Sequence, residues 1–163
     1  MKRLFTATIF AFLAIAINAQ VKFTASMKQT APDEITISFS GTMAKGWHVY
    51  APEEKHGPIA ASFNVDKIEG AKVEGPLKAN KPATKKFEAV WNGEVACYED
   101  NVTFSQKVKL TGKEYKIDGY FEFGACNDET CLPPTSVEFS YSGTVTLPST
   151  SNTEKKNDKI DED

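Results

Sequence analysis

Near the C-terminal end of the foldable region, Cys126-Asn-Asp-Glu-Thr-Cys131-Leu-Pro-Pro sets two cysteines four residues apart ahead of a double proline. Thiols at this spacing can close a structural disulfide, cycle between dithiol and disulfide, or ligate a metal. Bridging needs the two α carbons within about 7 Å, and a four-residue spacer folded into a turn satisfies that. By loop entropy so short a ring stabilises a fold by only about 2 kcal/mol. That is a weak staple for 163 residues, so a switch is as good a reading as a clamp. Zinc would need four ligands, and the candidates are Cys126, Cys131, Cys97 and the only two histidines, His48 and His56. None stands at a metal-ligand spacing, so no metal is expected.

Local charge bears on the reactivity of the pair. Asp128 and Glu129 lie between the cysteines and Glu122 lies nearby, with no Lys, Arg or His inside the loop. Negative neighbours disfavour a thiolate, whereas self-activating thiols sit in electropositive surroundings. The reduced pair should be a sluggish nucleophile on its own. This argues against a broad-spectrum reductase. It leaves open both an inert structural bridge and a carrier that exchanges only inside a docked complex.

The start of the chain says where these thiols are expected to work. Lys2 and Arg3 precede an apolar run from Leu4 to Ile17, and Ala19 before Gln20 supplies a small-residue cleavage site, the pattern of a secretory signal over residues 1–19. Export puts cysteines where disulfides form and persist. What remains is of single-domain length, expected over residues 20–147 and as a monomer. The formal net charge is −3 and no basic stripe is present, which argues against nucleic acid as a partner. Small secreted folds that cannot build a core are dense in cysteine. This one, with three cysteines and abundant aromatic residues, should fold without its bridge.

The elements that position the cysteines read as strands. Ile35, Ile37 and Phe39 alternate with polar neighbours, as do Val102, Phe104, Val108 and Leu110, the period of half-buried strands. Tyr115, Ile117, Phe121 and Phe123 repeat it, then Val137, Phe139 and Tyr141, then Val145 and Leu147. Shorter runs lie at 21–25, 47–50, 60–65 and 87–91. Turns are expected at Ala31-Pro-Asp, Lys45-Gly46, Asn92-Gly93, Thr111-Gly112 and Ser142-Gly143. Short strands at this spacing indicate an all-β, immunoglobulin-like antiparallel β-sandwich. Ala71 to Lys86, rich in lysine and holding Pro76 and Pro82, reads as a long solvated loop. The Ser/Thr-rich, charged tail 148–163 reads as disordered.

Phe121-Glu-Phe-Gly-Ala-Cys126-Asn-Asp-Glu-Thr-Cys131-Leu-Pro-Pro-Thr, following Gly46-Trp47-His48-Val49-Tyr50, resembles the N-terminal periplasmic domain of the thiol:disulfide interchange protein DsbD over roughly residues 21–147. The resemblance implies an immunoglobulin-like domain whose Cys126 and Cys131 relay reducing equivalents, with no cofactor. Cys131 would form the mixed disulfide and Cys126 would resolve it. Aligning residues 91–100 with the family's cap loop places Trp91 over the pair as a shield. His48 and Tyr50 would line the site from one strand face, with His48 tuning Cys131. For Trp91 the competing reading is a core residue, and for His48 a packed, hydrogen-bonded histidine. Cys97, where the family usually has an aromatic or aliphatic residue, is expected to be a buried, inert thiol.

The sequence as it stands has no multi-span membrane domain and no thioredoxin-like domain after residue 147. The implied partners are therefore a separately encoded membrane electron conduit of DsbD/CcdA type or a thioredoxin-like periplasmic protein, and disulfide-bearing acceptors. The contrasting expectation is an exported binding or adhesion module on the same fold, with a purely structural disulfide.

Overall fold

The computed structural model describes residues 20–57 and 59–147; the secretory signal and the charged tail read from the sequence lie outside these. Among the described residues eleven strands run in chain order: β1 Val21–Ala31, β2 Glu34–Met43, β3 His48–Tyr50, β4 Ser62–Glu69, β5 Ala71–Ala79, β6 Thr84–Glu88, β7 Gly93–Glu99, β8 Asn101–Leu110, β9 Glu114–Phe123, β10 Ala125–Cys126 and β11 Thr135–Thr144. All pair antiparallel, and no helix occurs among the described residues. The strands form sheets ordered β1-β2-β8-β5, β11-β9-β4 and β10-β3-β7-β6. The expected immunoglobulin-like sandwich is present, and the third sheet flanks it.

The alternation in the sequence fixes which faces meet. Phe39 of β2 stacks on Phe121 of β9 at 4.6 Å, while Phe23 of β1 and Phe104 of β8 lie 5.0 and 5.4 Å from the same ring. Aromatic pairs in such tilted or offset arrangements add to the area they bury. Ile35, Ile37, Val108 and Ile117 complete a dry layer at no more than 1% exposure. The flanking sheet turns Val49 and Tyr98 into this core, with Tyr98 edge-on to Phe104 at 5.4 Å. Its opposite face holds Tyr50, Val95 and Cys126 as a separate buried cluster.

Three expectations are corrected. Residues 71–86 are not a loop: they supply edge strand β5 and the first residues of β6. Edge strands tolerate lysine and proline because one side of the backbone needs no ladder partner. The β5–β8 register shifts between Glu74 and Lys78, which accommodates Pro76. The buried Gln106 side chain donates to the carbonyls of Glu74 and Gly75 at 3.1 and 3.0 Å, satisfying groups the irregularity frees. Ser142-Gly143 is no turn but part of β11, where Gly143 pairs with Tyr115. A Cβ at Gly143 would sit 2.8 Å from the Tyr115 hydroxyl, so this glycine reflects close approach. Finally, the strand expected at 87–91 lies earlier: β6 ends at Glu88, and Ala89–Asn92 turn into β7.

The bridge between Cys126 and Cys131 lies outside the aromatic layer, so its reduction should cost about 2 kcal/mol against a total of about 5–15 kcal/mol. Thermal unfolding with and without a strong reductant, beside a Cys126→Ala/Cys131→Ala variant, should show one cooperative transition lowered by a few degrees. Loss of the cooperative transition on reduction would make the bridge a clamp and favour the binding-module expectation.

Candidate functional site

Cys126 ends the two-residue strand β10 and faces His48 across the β10–β3 ladder. Cys131 closes back on it in a single antiparallel bridge, with the disulfide formed and the α carbons 4.0 Å apart. The intervening residues are a tight turn that carries its own bonds. Asn127 N–H donates to the Thr130 carbonyl at 2.9 Å, and Leu132 N–H to that of Ala125 at 2.8 Å. The Asn127 side-chain oxygen accepts from the amides of Glu129 and Thr130 at 2.9 and 2.7 Å, an Asx-type closure. The two cysteines differ sharply in exposure: Cys126 is 1% exposed, whereas Cys131 is an exposed residue.

Directly paired residues of an antiparallel ladder share a face, which fixes what else lines this one. His48 and Tyr50 stand two apart on β3, as expected, with their rings edge-to-face at 5.3 Å. Opposite them on β7 are Glu99 and Cys97; on β6, Thr84 pairs with Cys97 and Lys86 with Val95, on the same face. His48 and Tyr50 are fully buried, so their polar atoms need partners. Glu88, at the end of β6, provides them. Its Oε2 accepts from the Tyr50 hydroxyl at 2.8 Å, and its Oε1 lies 2.6 Å from His48 Nε2. Glu88 Oε1 has no partner besides that ring, and His48 Nδ1 has none at all.

Burial governs the titration of these groups. Desolvation lowers His48 below the ordinary imidazole value; Lys86 adds to this, and Glu88 and Glu99 oppose it. Desolvation, then the Glu88 hydrogen bond, raises the Tyr50 phenol far above its ordinary value, with the Trp91 indole beside it acting in the opposite direction. Tyr50 is thus a neutral donor throughout the physiological range. The segment after β3 helps to cover it. Glu54 ties that segment down by accepting from the backbone amides of Lys55, His56 and Ala96. Gly57, at φ +112°, approaches so closely that a Cβ there would stand 3.0 Å from the Tyr50 ring.

Two expectations about the surroundings of the pair change. The disulfide turn does meet a cation: Lys86 Nζ lies 2.8 Å from Asp128 Oδ1, and this contact holds the Asp128 carboxyl below its usual range. With buried His48 opposite Cys126, the pair is not surrounded by negative charge alone. His48 faces Cys126 rather than Cys131, so the expected tuning of Cys131 has no direct route through the ladder.

The expected cap loop is also smaller than the alignment implied. Residues 93–99 are β7, a central strand of the flanking sheet, leaving only the turn Ala89–Asn92. Trp91 sits in that turn at 36% exposure, which excludes the core reading. Phe87 and Val90 beside it are 63% and 73% exposed. Between this hairpin tip and the disulfide turn runs a cleft of about 240 Å³ lined by Phe87, Glu88, Ala89, Val90, Asn127 and Asp128. Sequence reasoning missed Glu88, Lys86 and Phe87. The signal was present in the alternation of Thr84, Lys86 and Glu88, which places all three on the face of the disulfide once 84–88 is read as a strand.

Cys97 is the one free cysteine among the described residues. Burial, with Glu99 and Glu88 adding to it, pushes its thiol up to about 11, which keeps it protonated and unreactive.

No curated protein sequence matches the chain. Among solved structures it resembles the N-terminal periplasmic domain of ScsB from Proteus mirabilis at 16% identity and a TM-score of 0.54, covering 85% of this chain and 52% of that one. At that identity the likeness carries the fold alone. The reduced DsbD N-terminal domain of Neisseria meningitidis matches at 19% identity and a TM-score of 0.45, over 75% of this chain and 86% of that one. The same organism's complex of DsbD and PilB N-terminal domains matches at 17% identity and 0.44, over 78% and 89%. The family model described as thiol:disulfide interchange protein DsbD, N-terminal, matches residues 16–143. That span takes in both cysteines of the bridge and every strand from β1 to β10, and the chain therefore belongs to the DsbD N-terminal domain family.

Proposed function

We propose that this domain is a periplasmic thiol–disulfide carrier that passes reducing equivalents through Cys126 and Cys131 by mixed-disulfide exchange. The observation that carries the reading is the unequal exposure of the two cysteine residues. An exchange reaction needs one sulfur that a partner's thiolate can reach and a second, protected one that breaks the mixed disulfide. Exposed Cys131 suits the first role, and buried Cys126 the second. Membership of the DsbD N-terminal family supports the chemistry, and the turn's own hydrogen bonds support a loop that keeps its shape in both redox states.

In the reductive half-cycle a donor thiolate attacks Cys131 Sγ, and the Cys126–Cys131 bond breaks with its electron pair on Cys126. The donor's second thiolate then attacks the donor sulfur of the mixed disulfide, closing the donor's own disulfide and expelling Cys131 as a thiolate, which leaves the Cys126–Cys131 pair reduced. The reduced pair runs the same steps in reverse against an acceptor's disulfide. Electron donors of suitable chemistry are a thioredoxin-like periplasmic protein or a membrane conduit of DsbD/CcdA type. The apolar hairpin tip of Phe87, Val90 and Trp91 acts as the cap, shielding the pair until a partner displaces it. His48 and Tyr50 form the floor of the site.

Cys126→Ser should accumulate adducts with partner proteins through Cys131, and Cys131→Ser should form none. Non-reducing gels of each variant purified from the periplasm, with and without reductant, make the comparison. Equal adducts from both, or none from either, would refute the assignment of roles. Trp91→Ala should raise the rate at which the reduced pair reacts with a small thiol reagent several-fold. It should cost under about 2 kcal/mol, less than the roughly 3–5 kcal/mol of truncating a buried aromatic residue. Strong destabilisation with unchanged thiol reactivity would remove Trp91 from the cap.

A further inference from the structure

Among the described residues the buried side-chain atoms without a hydrogen-bond partner are His48 Nδ1 and Glu88 Oε1, and the neighbours of His48 determine its protonation. Glu88 Oε2 is taken by the Tyr50 hydroxyl, whose single proton is thereby used. Glu88 Oε1 lies against His48 Nε2. An ionised carboxylate only accepts hydrogen bonds, so Nε2 carries the ring proton, and in the neutral imidazole Nδ1 is a bare lone pair. Glu88 belongs to β6, which lies on the β7 side of β3. Cys126 lies on the other side of β3, directly opposite His48 in the ladder and on the same face. A buried lone pair without a donor is costly, and the residue that the ladder sets directly opposite His48 is Cys126, whose sulfur must gain and lose a proton.

We propose that His48, held by Glu88, is the proton acceptor and donor for Cys126 during thiol–disulfide exchange. The inference rests on the carrier reading above and deepens it, moving the role of His48 from Cys131 to Cys126. In the oxidative direction the Cys126 thiol gives its proton to His48 Nδ1 as its sulfur attacks Cys131 Sγ of the mixed disulfide. The Cys126–Cys131 bond forms, and the bond from Cys131 to the partner breaks, its electron pair leaving on the partner's sulfur. The dithiol is oxidised and the partner's disulfide reduced. The proton stays on an imidazolium paired with the Glu88 carboxylate, then passes to solvent. In the reductive direction a partner thiolate attacks Cys131, and the imidazolium returns the proton to the departing Cys126 sulfur. A thiolate in a site 1% exposed would otherwise lack any compensation for its desolvation.

The charged groups around His48 fit this task. Glu88 and Lys86 face it from β6, Glu99 is its partner on β7, and Asp128 of the disulfide turn lies within electrostatic reach. Lys86 is engaged by Asp128 at 2.8 Å. The carboxylate in contact with the ring is that of Glu88, so the imidazolium has a counter-ion at the moment it forms.

The test mixes the reduced domain with a symmetric nitrobenzoate disulfide, whose released thiolate is coloured, in a stopped-flow instrument. Attack by Cys131 releases one equivalent, and resolution by Cys126 releases the second; buried Cys97 contributes no fast phase. With His48 as the base, the second phase should be nearly flat from about pH 6.5, where the imidazole is neutral, to about pH 8.5, below which the thiol keeps its proton. His48→Gln should slow the second phase about a hundredfold near neutrality and make it climb about tenfold per pH unit, as the thiolate fraction does. The first phase should be unchanged. Glu88→Gln keeps the ring but removes its counter-ion, so the flat region should extend to lower pH at a several-fold lower rate. That variant carries the test if His48→Gln does not fold, with melting curves as the control. An unaltered second phase and pH profile in the folded variants would overturn the inference while leaving the carrier reading intact. Release of no second equivalent by the native domain would instead overturn the carrier reading, and this inference with it.

Discussion

The Glu88 carboxylate is the tie on which the site depends. It takes the Tyr50 hydroxyl on one oxygen and meets the His48 ring on the other. Both rings are fully buried on a strand of only three residues. Polar groups so buried are tolerated only when they are paired, so the flanking sheet cannot close over His48 and Tyr50 without the strand that brings Glu88. That strand is one arm of the hairpin whose tip borders the disulfide turn. Satisfying the buried rings and setting the hairpin tip beside the disulfide turn are therefore one requirement. A change that frees Glu88 both orphans two buried groups and unfastens that tip.

The second constraint is that redox cycling must not disturb the fold. The aromatic layer is built by β1, β2, β8 and β9 around Phe121, and no residue of the disulfide turn enters it. The turn is closed by backbone bonds and by the Asn127 side chain, so the sulfur–sulfur bond is one closure among several. Lys86 joins the turn to the hairpin through Asp128, an exposed pair whose contribution to stability is small but which gives the turn a defined neighbour. These features confine a change of covalent state to one corner of one sheet.

The sandwich was legible because its strands alternate cleanly: Ile35, Ile37 and Phe39, or Ile117, Phe121 and Phe123, can bury only one face. The cysteine pair and the shared face of His48 and Tyr50 were legible for similar reasons, since short-range spacing is enough to place them. The hairpin was not. Lysine and proline density between 71 and 86 marks a loop when composition is read alone, yet an edge strand accepts both residue types, and the bulge around Pro76 has its carbonyls met by Gln106 from a strand far away in sequence. Glu88 and Lys86 could be recognised as site residues only after β6 was placed beside β7, a non-local pairing. The same error made β7 resemble a loop and enlarged the expected cap. Charge suffered likewise: within residues 122–131 the surroundings look acidic, while the compensating groups arrive from β3 and β6.

Cys97 raises the question of why a third thiol on the same face does not scramble the pair. It stands opposite Tyr50 on β7, while Cys126 stands opposite His48 on β10, so β3 lies between them. Adjacent strands are about 4.7–4.9 Å apart, which puts the two cysteines at least roughly 9–10 Å apart at the backbone, before the two-residue offset along β3 is added. A disulfide needs α carbons within about 7 Å. The same sheet that brings Cys126 next to His48 thus holds Cys97 beyond bonding distance, and burial keeps its thiol protonated with a pKa pushed up to about 11. Distance excludes Cys97 from the pair, and its protonation state excludes it from attack on a partner. One strand, β3, accounts for both the proton-holding ring beside Cys126 and the insulation of the remaining thiol.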